Sequence, residues 1–139
     1  MSMEAKITLI ESMAFEGTAS SGYTVKIDAS KEYGGKNAGF RPMGLLLTSL
    51  GGCAGASVIS ILRKKRQDIT GFWINLKGER SKNPPMVFTN IEMEYVIKGR
   101  NISEKAIRSS IELSKKTCSV MAMLKSTAEI TTRYRIINE

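Results

Sequence analysis

The sequence predicts an α+β fold, because strand-like segments precede and follow one long helical segment and no repeat or linker interrupts the 139 residues. Residues Tyr23–Ile27 alternate polar and apolar side chains, as a half-buried strand does, and Pro42–Leu62 is an uncharged segment typical of a buried helix. A further strand, Val87–Lys98, places these residues on one face: Val87, Ile91, Met93, Tyr95 and Ile97. We expect one domain over residues 1–139, since a chain of this length can bury a core without disulfides.

The N-terminal region predicts two strands followed by a long loop. Lys6–Ser12 alternates weakly, and the small, polar stretch Glu16–Gly22 is typical of the connection in a hairpin. Asp28–Phe40 is rich in glycine and polar residues, so we expect it to form a loop.

The central segment predicts one helix from about Pro42 to Gln67. Pro42 suits the first helical position, where its missing N–H costs no hydrogen bond, and the basic residues Arg63–Arg66 suit the end. The uncharged part is long enough to cross a membrane, but its glycine and serine content favours a soluble helix without a membrane partner. The small residues Gly51–Ala56 permit a second backbone to approach closely, so we expect a homodimer that covers the helix.

The region after the long helix predicts a hairpin, then helices, then a last strand. Phe72–Leu76 pairs with the Val87–Lys98 strand across the turn Ser81–Pro85. The final strand is marked by alternation through Ile130–Ile136.

Between these strands the sequence predicts two helices with a break. Ser103 is a favourable N-cap, and Ile107 and Ile111 then repeat at helical spacing. Cys118 lies at the break before a short helix over Ser119–Lys125.

The amino-acid composition excludes several classes of function and of active site. The chain has no histidine and two cysteines, which removes the usual general base and leaves too few ligands for a four-coordinate zinc site, so we expect no metal. The formal charge is +8, but the aromatic residues are not interleaved with the basic cluster Arg63–Arg66, so we expect a solvated helix end and no nucleic acid partner. Met1–Glu11 has no apolar segment of the secretory kind, which predicts a cytoplasmic protein.

The two cysteines are the residues with covalent chemistry. A free cysteine is often only a small buried hydrophobe. Cys53, however, lies among glycines and alanines of the long helix, and Cys118 lies near a helix N-terminus, where the dipole is expected to lower the pKa of a thiol. The sequence alone does not show that the two thiols meet.

Several motifs resemble the OsmC/Ohr family of hydroperoxide-detoxifying proteins. Arg41–Cys53 carries a proline, a leucine-rich run and a small-small-Cys sequence, as the central helix of that family does. The segments Ile59–Gln67 and Pro84–Ile91 resemble its YhfA-like branch, and Thr117–Val120 is similar to its second-cysteine motif. The resemblance extends over nearly the whole chain.

The resemblance implies a fold, an assembly and a reaction. The fold has antiparallel sheets packed around a long central helix, and two copies form an intertwined homodimer. Cys53 corresponds to the peroxidatic cysteine, which attacks a hydroperoxide, and Cys118 to the resolving cysteine, which closes a disulfide. An external dithiol reductant then restores both thiols, and the resemblance implies that no metal, haem, flavin or other cofactor is required.

The sequence departs from the organic-hydroperoxide branch at two charged positions. That branch uses an N-terminal arginine held by a glutamate after the helix proline, whereas this chain has no arginine before Arg41 and has Met43 where the glutamate stands. Burial without those charges is expected to raise the pKa of Cys53, and Arg41 would stabilise the thiolate if it folds back to the pocket.

Those departures leave an alternative open. The same scaffold could bind a small hydrophobic ligand between subunits, with Met43, Leu46 and Met121 as lining residues.

Overall fold

The α+β prediction is confirmed by a computed structural model that describes all residues, Met1–Glu139. The elements in chain order are β1 (Ala5–Glu11), β2 (Ala14–Ala19), β3 (Thr24–Ile27), α1 (Pro42–Lys64), β4 (Asp68–Arg80), β5 (Phe88–Arg100), α2 (Glu104–Thr117), α3 (Ser119–Leu124) and β6 (Glu129–Asn138). The chain divides into two compact units, Met1–Leu46 and Leu47–Glu139. The expectation of one domain over residues 1–139 stays a prediction.

The first unit contains an antiparallel sheet in the order β1-β2-β3. The prediction that Glu16–Gly22 is a hairpin connection is wrong, because most of this stretch belongs to β2. Gly17 pairs with Ile7 on one side and Val25 on the other. A Cβ on Gly17 would lie 2.9 Å from Ile7 Cδ1, so the small residue reflects a crowded strand centre rather than a turn.

The predicted loop after β3 is organised around Asp28, which is 2% exposed. Its carboxylate accepts hydrogen bonds from the N–H groups of Ala29, Lys36 and Ala38 at 2.7, 3.1 and 3.1 Å. Burial acts to raise the pKa of Asp28, but these N–H groups together hold that pKa below its ordinary value. A single buried carboxylate therefore satisfies several backbone donors of an otherwise irregular loop.

The second unit contains a sheet in the order β4-β5-β6. β4 and β5 form an antiparallel hairpin, whereas β6 runs parallel to β5, so the sheet is mixed and not purely antiparallel as expected. A parallel pairing needs a crossover connection, which α2 and α3 supply. β4 is longer than the predicted Phe72–Leu76 because it pairs with β5 over nearly its whole length.

The core of the second unit lies between the sheet and the helices. Ile91, Met93, Tyr95 and Ile97 of β5 are fully buried, as the alternation predicts. Val87 is 37% exposed and precedes the strand, which corrects its predicted place on that face. A register shift between Glu79 and Arg80 of β4 buries the neighbouring residue Phe88 instead.

Helix α1 starts at Pro42 as predicted and ends at Lys64 rather than Gln67. Its core-facing residues repeat every fourth position and are fully buried: Leu50, Ala54, Val58 and Leu62. By length and composition alone α1 could cross a membrane, with 28% of its most apolar window buried, but one such helix is weak evidence. The buried stripe gives α1 a packing role in the second unit.

Candidate functional site

Helix α1 places Cys53 at the edge of its buried stripe. Cys53 follows Leu50 by one helical turn and immediately precedes Ala54, both of which are fully buried. Cys53 itself is half-buried. The Cys53 thiol therefore lies at the boundary between the buried face of α1 and its more exposed face.

The junction of α2 and α3 places Cys118. The chain leaves helical geometry there, with φ −73° and ψ 112°, after the N–H of Cys118 donates to the Ser114 carbonyl at 2.9 Å. The Cys118 sulfur then accepts a hydrogen bond from the N–H of Met121 at 3.4 Å, so it serves as the N-cap of α3. Cys118 is 3% exposed, and the two bonds hold it in a single backbone position.

Two polar contacts hold α1 against the junction. The buried hydroxyl of Ser114 donates to the carbonyl of Ala54 at 3.4 Å. The hydroxyls of Ser57 and Thr117 lie 3.4 Å apart. Because Ala54 and Thr117 each neighbour a cysteine in sequence, these contacts fix the relative position of the two thiols.

The arrangement brings the two thiols together. The side chains of Cys53 and Cys118 interact, and this side-chain hydrogen bond acts to lower the pKa of Cys53 and to raise that of Cys118. The backbone N–H of Val120 is the largest factor that lowers the pKa of Cys53, followed by the Cys118 thiol and the N–H of Ser119. The expectation of a raised pKa for Cys53 is therefore wrong, because backbone donors take the place of the missing charged side chains.

Cys118 shows the opposite behaviour. Burial raises the pKa of Cys118, and its hydrogen bond to Cys53 raises that pKa further. The first N–H groups of the adjoining helix, those of Met121 and Val120, do act to lower the pKa of Cys118, but burial and the interaction with Cys53 outweigh them, so the net shift is opposite to the predicted one. The pair thus holds one thiol prepared to ionise and one that keeps its proton and donates it in a hydrogen bond.

Sequence comparison places this chain in a known family. A family profile described as "OsmC-like protein" matches residues 34–133, which include both cysteines. The chain belongs to the OsmC-like family. It is 33% identical to "Protein YhfA" of Escherichia coli K12 over 136 residues, a match that covers 97% of this chain and 98% of that protein.

Similar solved structures confirm the fold class. A hypothetical protein from Aquifex aeolicus VF5 is 32% identical, with a TM-score of 0.81 and 98% of both chains covered. An organic hydroperoxide resistance protein, OsmC, from Legionella pneumophila is 9% identical, with a TM-score of 0.71, 100% of this chain covered and 98% of that chain. At that identity the second likeness shows the fold alone.

Arg41, the predicted thiolate-stabilising residue of this OsmC-like protein, is engaged in the loop that precedes α1. Its guanidinium donates to the side-chain oxygen of Asn37 at 2.6 Å and to the carbonyl of Gly39 at 3.2 Å. A longer contact of 3.5 Å reaches the carbonyl of Asp28. Its role toward Cys53 stays a prediction.

The three predicted pocket residues differ in their surroundings. Met121 is 4% exposed in the second unit, beside the α2–α3 junction. In the first unit, Met43 is half-buried and Leu46 is 39% exposed. Their joint role as a pocket lining stays a prediction.

A groove of about 780 Å³ runs between α1 and β4. Small residues on the helix open it: a Cβ on Gly51 would lie 2.9 Å from Leu76 Cδ1, and one on Gly55 would lie 3.5 Å from Ile74. Of these two glycines, Gly51 is closely approached by the side chain of Leu76 from β4, whereas a Cβ on Gly55 would make only an ordinary van der Waals contact. A Cβ on Gly52 would meet nothing within 4 Å.

Sequence reasoning missed the donors that activate Cys53 and the serine that connects the helices. The donors are backbone groups, which carry no residue signature. Ser114 did leave a signal, because it lies one helical turn after the core positions Ser110 and Ile111 of α2. A polar residue on the buried face of an amphipathic helix usually has a partner, and here that partner is the Ala54 carbonyl.

Proposed function

We propose that this OsmC-like protein is a thiol-dependent peroxidase that reduces organic hydroperoxides in the cytoplasm. The observation that carries the proposal is the asymmetric thiol pair, in which Cys53 has a lowered pKa and Cys118 donates to it. A thiolate, not a thiol, attacks an electrophile. The Legionella pneumophila neighbour, named for organic hydroperoxide resistance, supports the substrate class by analogy of fold.

The reaction follows from the order of the two pKa values. The Cys53 thiolate attacks the distal oxygen of the hydroperoxide, the O–O bond breaks, and the alkoxide leaves as an alcohol after it takes up a proton. Cys53 is then a sulfenic acid. The Cys118 sulfur attacks it, water leaves, and an external dithiol reduces the resulting disulfide by exchange.

We further propose that the protein is a homodimer. Three apolar side chains of β1, those of Ile7, Leu9 and Ile10, are 55–57% exposed within the chain. Gly52 and Ala56 are exposed on α1. Apolar strand faces of this kind are usually covered by a partner, and a second copy is the commonest one.

The test of the proposed activity is peroxide consumption. Wild-type protein with a dithiol reductant is expected to consume cumene hydroperoxide in many turnovers, because each cycle returns both thiols. Cys53→Ser is expected to abolish turnover, and Cys118→Ser is expected to accumulate the sulfenic acid of Cys53. Turnover by wild type no faster than that of Cys53→Ser would disprove the peroxidase.

A second candidate is a binding protein for a small hydrophobic ligand. The groove between α1 and β4 favours this function, because it has a volume of about 780 Å³ and its lining is mostly apolar and includes Phe72 and Ile74. Binding there would not need a thiol. Cys53→Ser is then expected to retain the affinity of wild type for an environment-sensitive fluorescent fatty acid, whereas Gly55→Leu, which fills the groove, is expected to lose it.

A further inference from the structure

Helix α3 begins on a cysteine sulfur rather than on an ordinary hydroxyl or carboxylate cap. The first N–H groups of a helix have no partner inside it and need an acceptor from outside. The N–H of Met121 donates to the Cys118 sulfur at 3.4 Å. The N–H groups of Ser119 and Val120 donate to the Cys53 sulfur. These donors of the first turn therefore depend on the two sulfur atoms of the site.

Helix α3 has little else to hold it in place. It spans six residues, Ser119–Leu124, and a helix of that length is not stable by itself in water. Met121 is its only buried residue, whereas the Met123 side chain is 77% exposed. The order of α3 is therefore expected to respond to the state of its cap.

Closure of a disulfide changes both sulfur acceptors at once. A hydrogen bond to a thiolate is charge-assisted and roughly twice as strong as a neutral one, and this charge is lost when Cys53 enters the disulfide. The position of the Cys118 sulfur is then set by its bond to Cys53 and no longer by the N–H of Met121. The new bond ties the end of α2 to α1 but holds no residue after Cys118, so the weakening falls on α3.

The wound form of α3 also encloses the bond that a reductant must reach. Cys118 is 3% exposed, and Met121 beside it is 4% exposed. Thiol–disulfide exchange requires the attacking thiolate to approach one sulfur of the disulfide directly. Because α3 starts at Cys118, its unwinding would uncover that sulfur.

We propose that α3 is a redox-sensitive gate, which the two thiols hold wound and which the disulfide releases so that the reductant can reach the S–S bond. The gate rests on the proposed peroxidase function, because that reaction forms the disulfide. A thiolate of the external dithiol attacks the Cys118 sulfur, the S–S bond breaks, and Cys53 leaves as a thiolate. The second thiol of the reductant then attacks the mixed disulfide, so that Cys118 is released and takes up a proton while the reductant leaves as its own disulfide.

The first test closes the disulfide without any peroxide, so its outcome does not depend on whether the chain is a peroxidase. Diamide takes two electrons and two protons from the thiol pair, and hydrogen exchange is then followed by mass spectrometry in reduced and oxidised protein. The amides of residues 120–125 are expected to exchange about tenfold faster after oxidation, the effect of losing a hydrogen bond to a charged acceptor. Helix α2 is the internal control, because its cap is the Ser103 hydroxyl, which accepts from the N–H of Ala106 at 3.1 Å and is not oxidised.

A matched pair of variants tests whether α3 controls access. Met123 is exposed, so replacing it removes little packing. Glycine disfavours a helix relative to alanine by an amount that corresponds to about fivefold in the equilibrium between wound and unwound α3. The disulfide of Met123→Gly is therefore expected to be reduced by dithiothreitol about fivefold faster than that of Met123→Ala.

Each result supports or overturns the gate. Faster exchange confined to α3 supports it, even where cumene hydroperoxide is not consumed and the proposed peroxidase fails. Equal exchange of residues 120–125 before and after oxidation overturns it, and so does equal acceleration in α2, because the loosening would then not be specific to α3. Equal reduction rates for the two Met123 variants overturn it as well. Failure of diamide to close the disulfide has the same consequence, since the gate requires the two thiols to join.

Discussion

The hydrogen bond from Cys118 to Cys53 can be tested by comparing two replacements of Cys118. Cys118→Ala removes the donor, whereas Cys118→Ser keeps a hydroxyl in the same place. A hydrogen bond to a charged acceptor is worth about 1.5–3 kcal/mol, and a sulfur donor belongs at the low end of that range. A free energy of about 1.4 kcal/mol corresponds to a factor of ten. At a pH below the midpoint of Cys53 ionisation, Cys118→Ala is therefore expected to hold about tenfold less Cys53 thiolate than Cys118→Ser.

The backbone donors limit the size of this effect. The N–H groups of Val120 and Ser119 remain in both variants, so the pKa of Cys53 is expected to stay below that of the same thiol in unfolded protein. A much larger loss would mean that α3 has frayed after losing its sulfur cap, which the Met121 contact provides.

The assay is the pH profile of Cys53 alkylation, read by mass spectrometry. Each variant has one thiol, so the profile reports Cys53 without contribution from its neighbour. The expected order of midpoints is Cys118→Ser below Cys118→Ala. Identical midpoints for the two variants would refute the reasoning, because the donor at position 118 would then have no influence on Cys53.

Three further outcomes are expected. A Cβ on Gly52 would meet nothing within 4 Å in its own chain, so Gly52→Ala is expected to stabilise an isolated subunit by about 1 kcal/mol. In sedimentation, the same substitution is expected to shift a dimer toward monomer. The control Gly44→Ala, whose Cβ would also meet nothing within 4 Å, is expected to leave assembly unchanged. Asp28→Asn is expected to lower the urea midpoint of unfolding at neutral pH. Because the pKa of Asp28 is depressed in the folded protein, the carboxylate contributes to stability above the ordinary aspartate pKa, and this contribution is lost as the pH falls through the folded pKa. The urea midpoints of Asp28→Asn and wild type are therefore expected to converge in acid. Ser114→Ala is expected to lower the free energy of unfolding by about 1 kcal/mol in urea titration and to slow disulfide formation, and an unchanged rate would exclude a positioning role for its bond to α1.

Local sequence predicted the parts of the fold that depend on local chemistry. Pro42 marks the start of α1 because proline suits the first helical position, and Ser103 caps α2 by accepting from the N–H of Ala106 at 3.1 Å. Strand β2 was missed because the small residues in Glu16–Gly22 suggested a turn, whereas most of them pair with the neighbouring strands β1 and β3. The parallel pairing of β6 with β5 could not be predicted from local sequence either, because the direction of β6 depends on the path of the crossover through α2 and α3.

The site was predictable in its residues but not in its electrostatics. Cys53 and Cys118 were found from their motifs, while the sign of each pKa shift was predicted wrongly. The sign for Cys53 depends on where the N–H groups of Val120 and Ser119 lie after the chain turns at Cys118, and the sign for Cys118 depends on its burial; both are tertiary properties. A rule based on proximity to a helix N-terminus assigned the lowered pKa to the wrong thiol.

The most direct test of the account is the covalent state of the thiols after one equivalent of an organic hydroperoxide. Wild-type protein, mixed with cumene hydroperoxide and quenched by alkylation, is expected to form an internal Cys53–Cys118 disulfide faster than free cysteine is oxidised under the same conditions. The peptide pair would then carry no alkyl group and would separate on reduction. Two alkylated thiols at times when free cysteine is already oxidised would contradict the account.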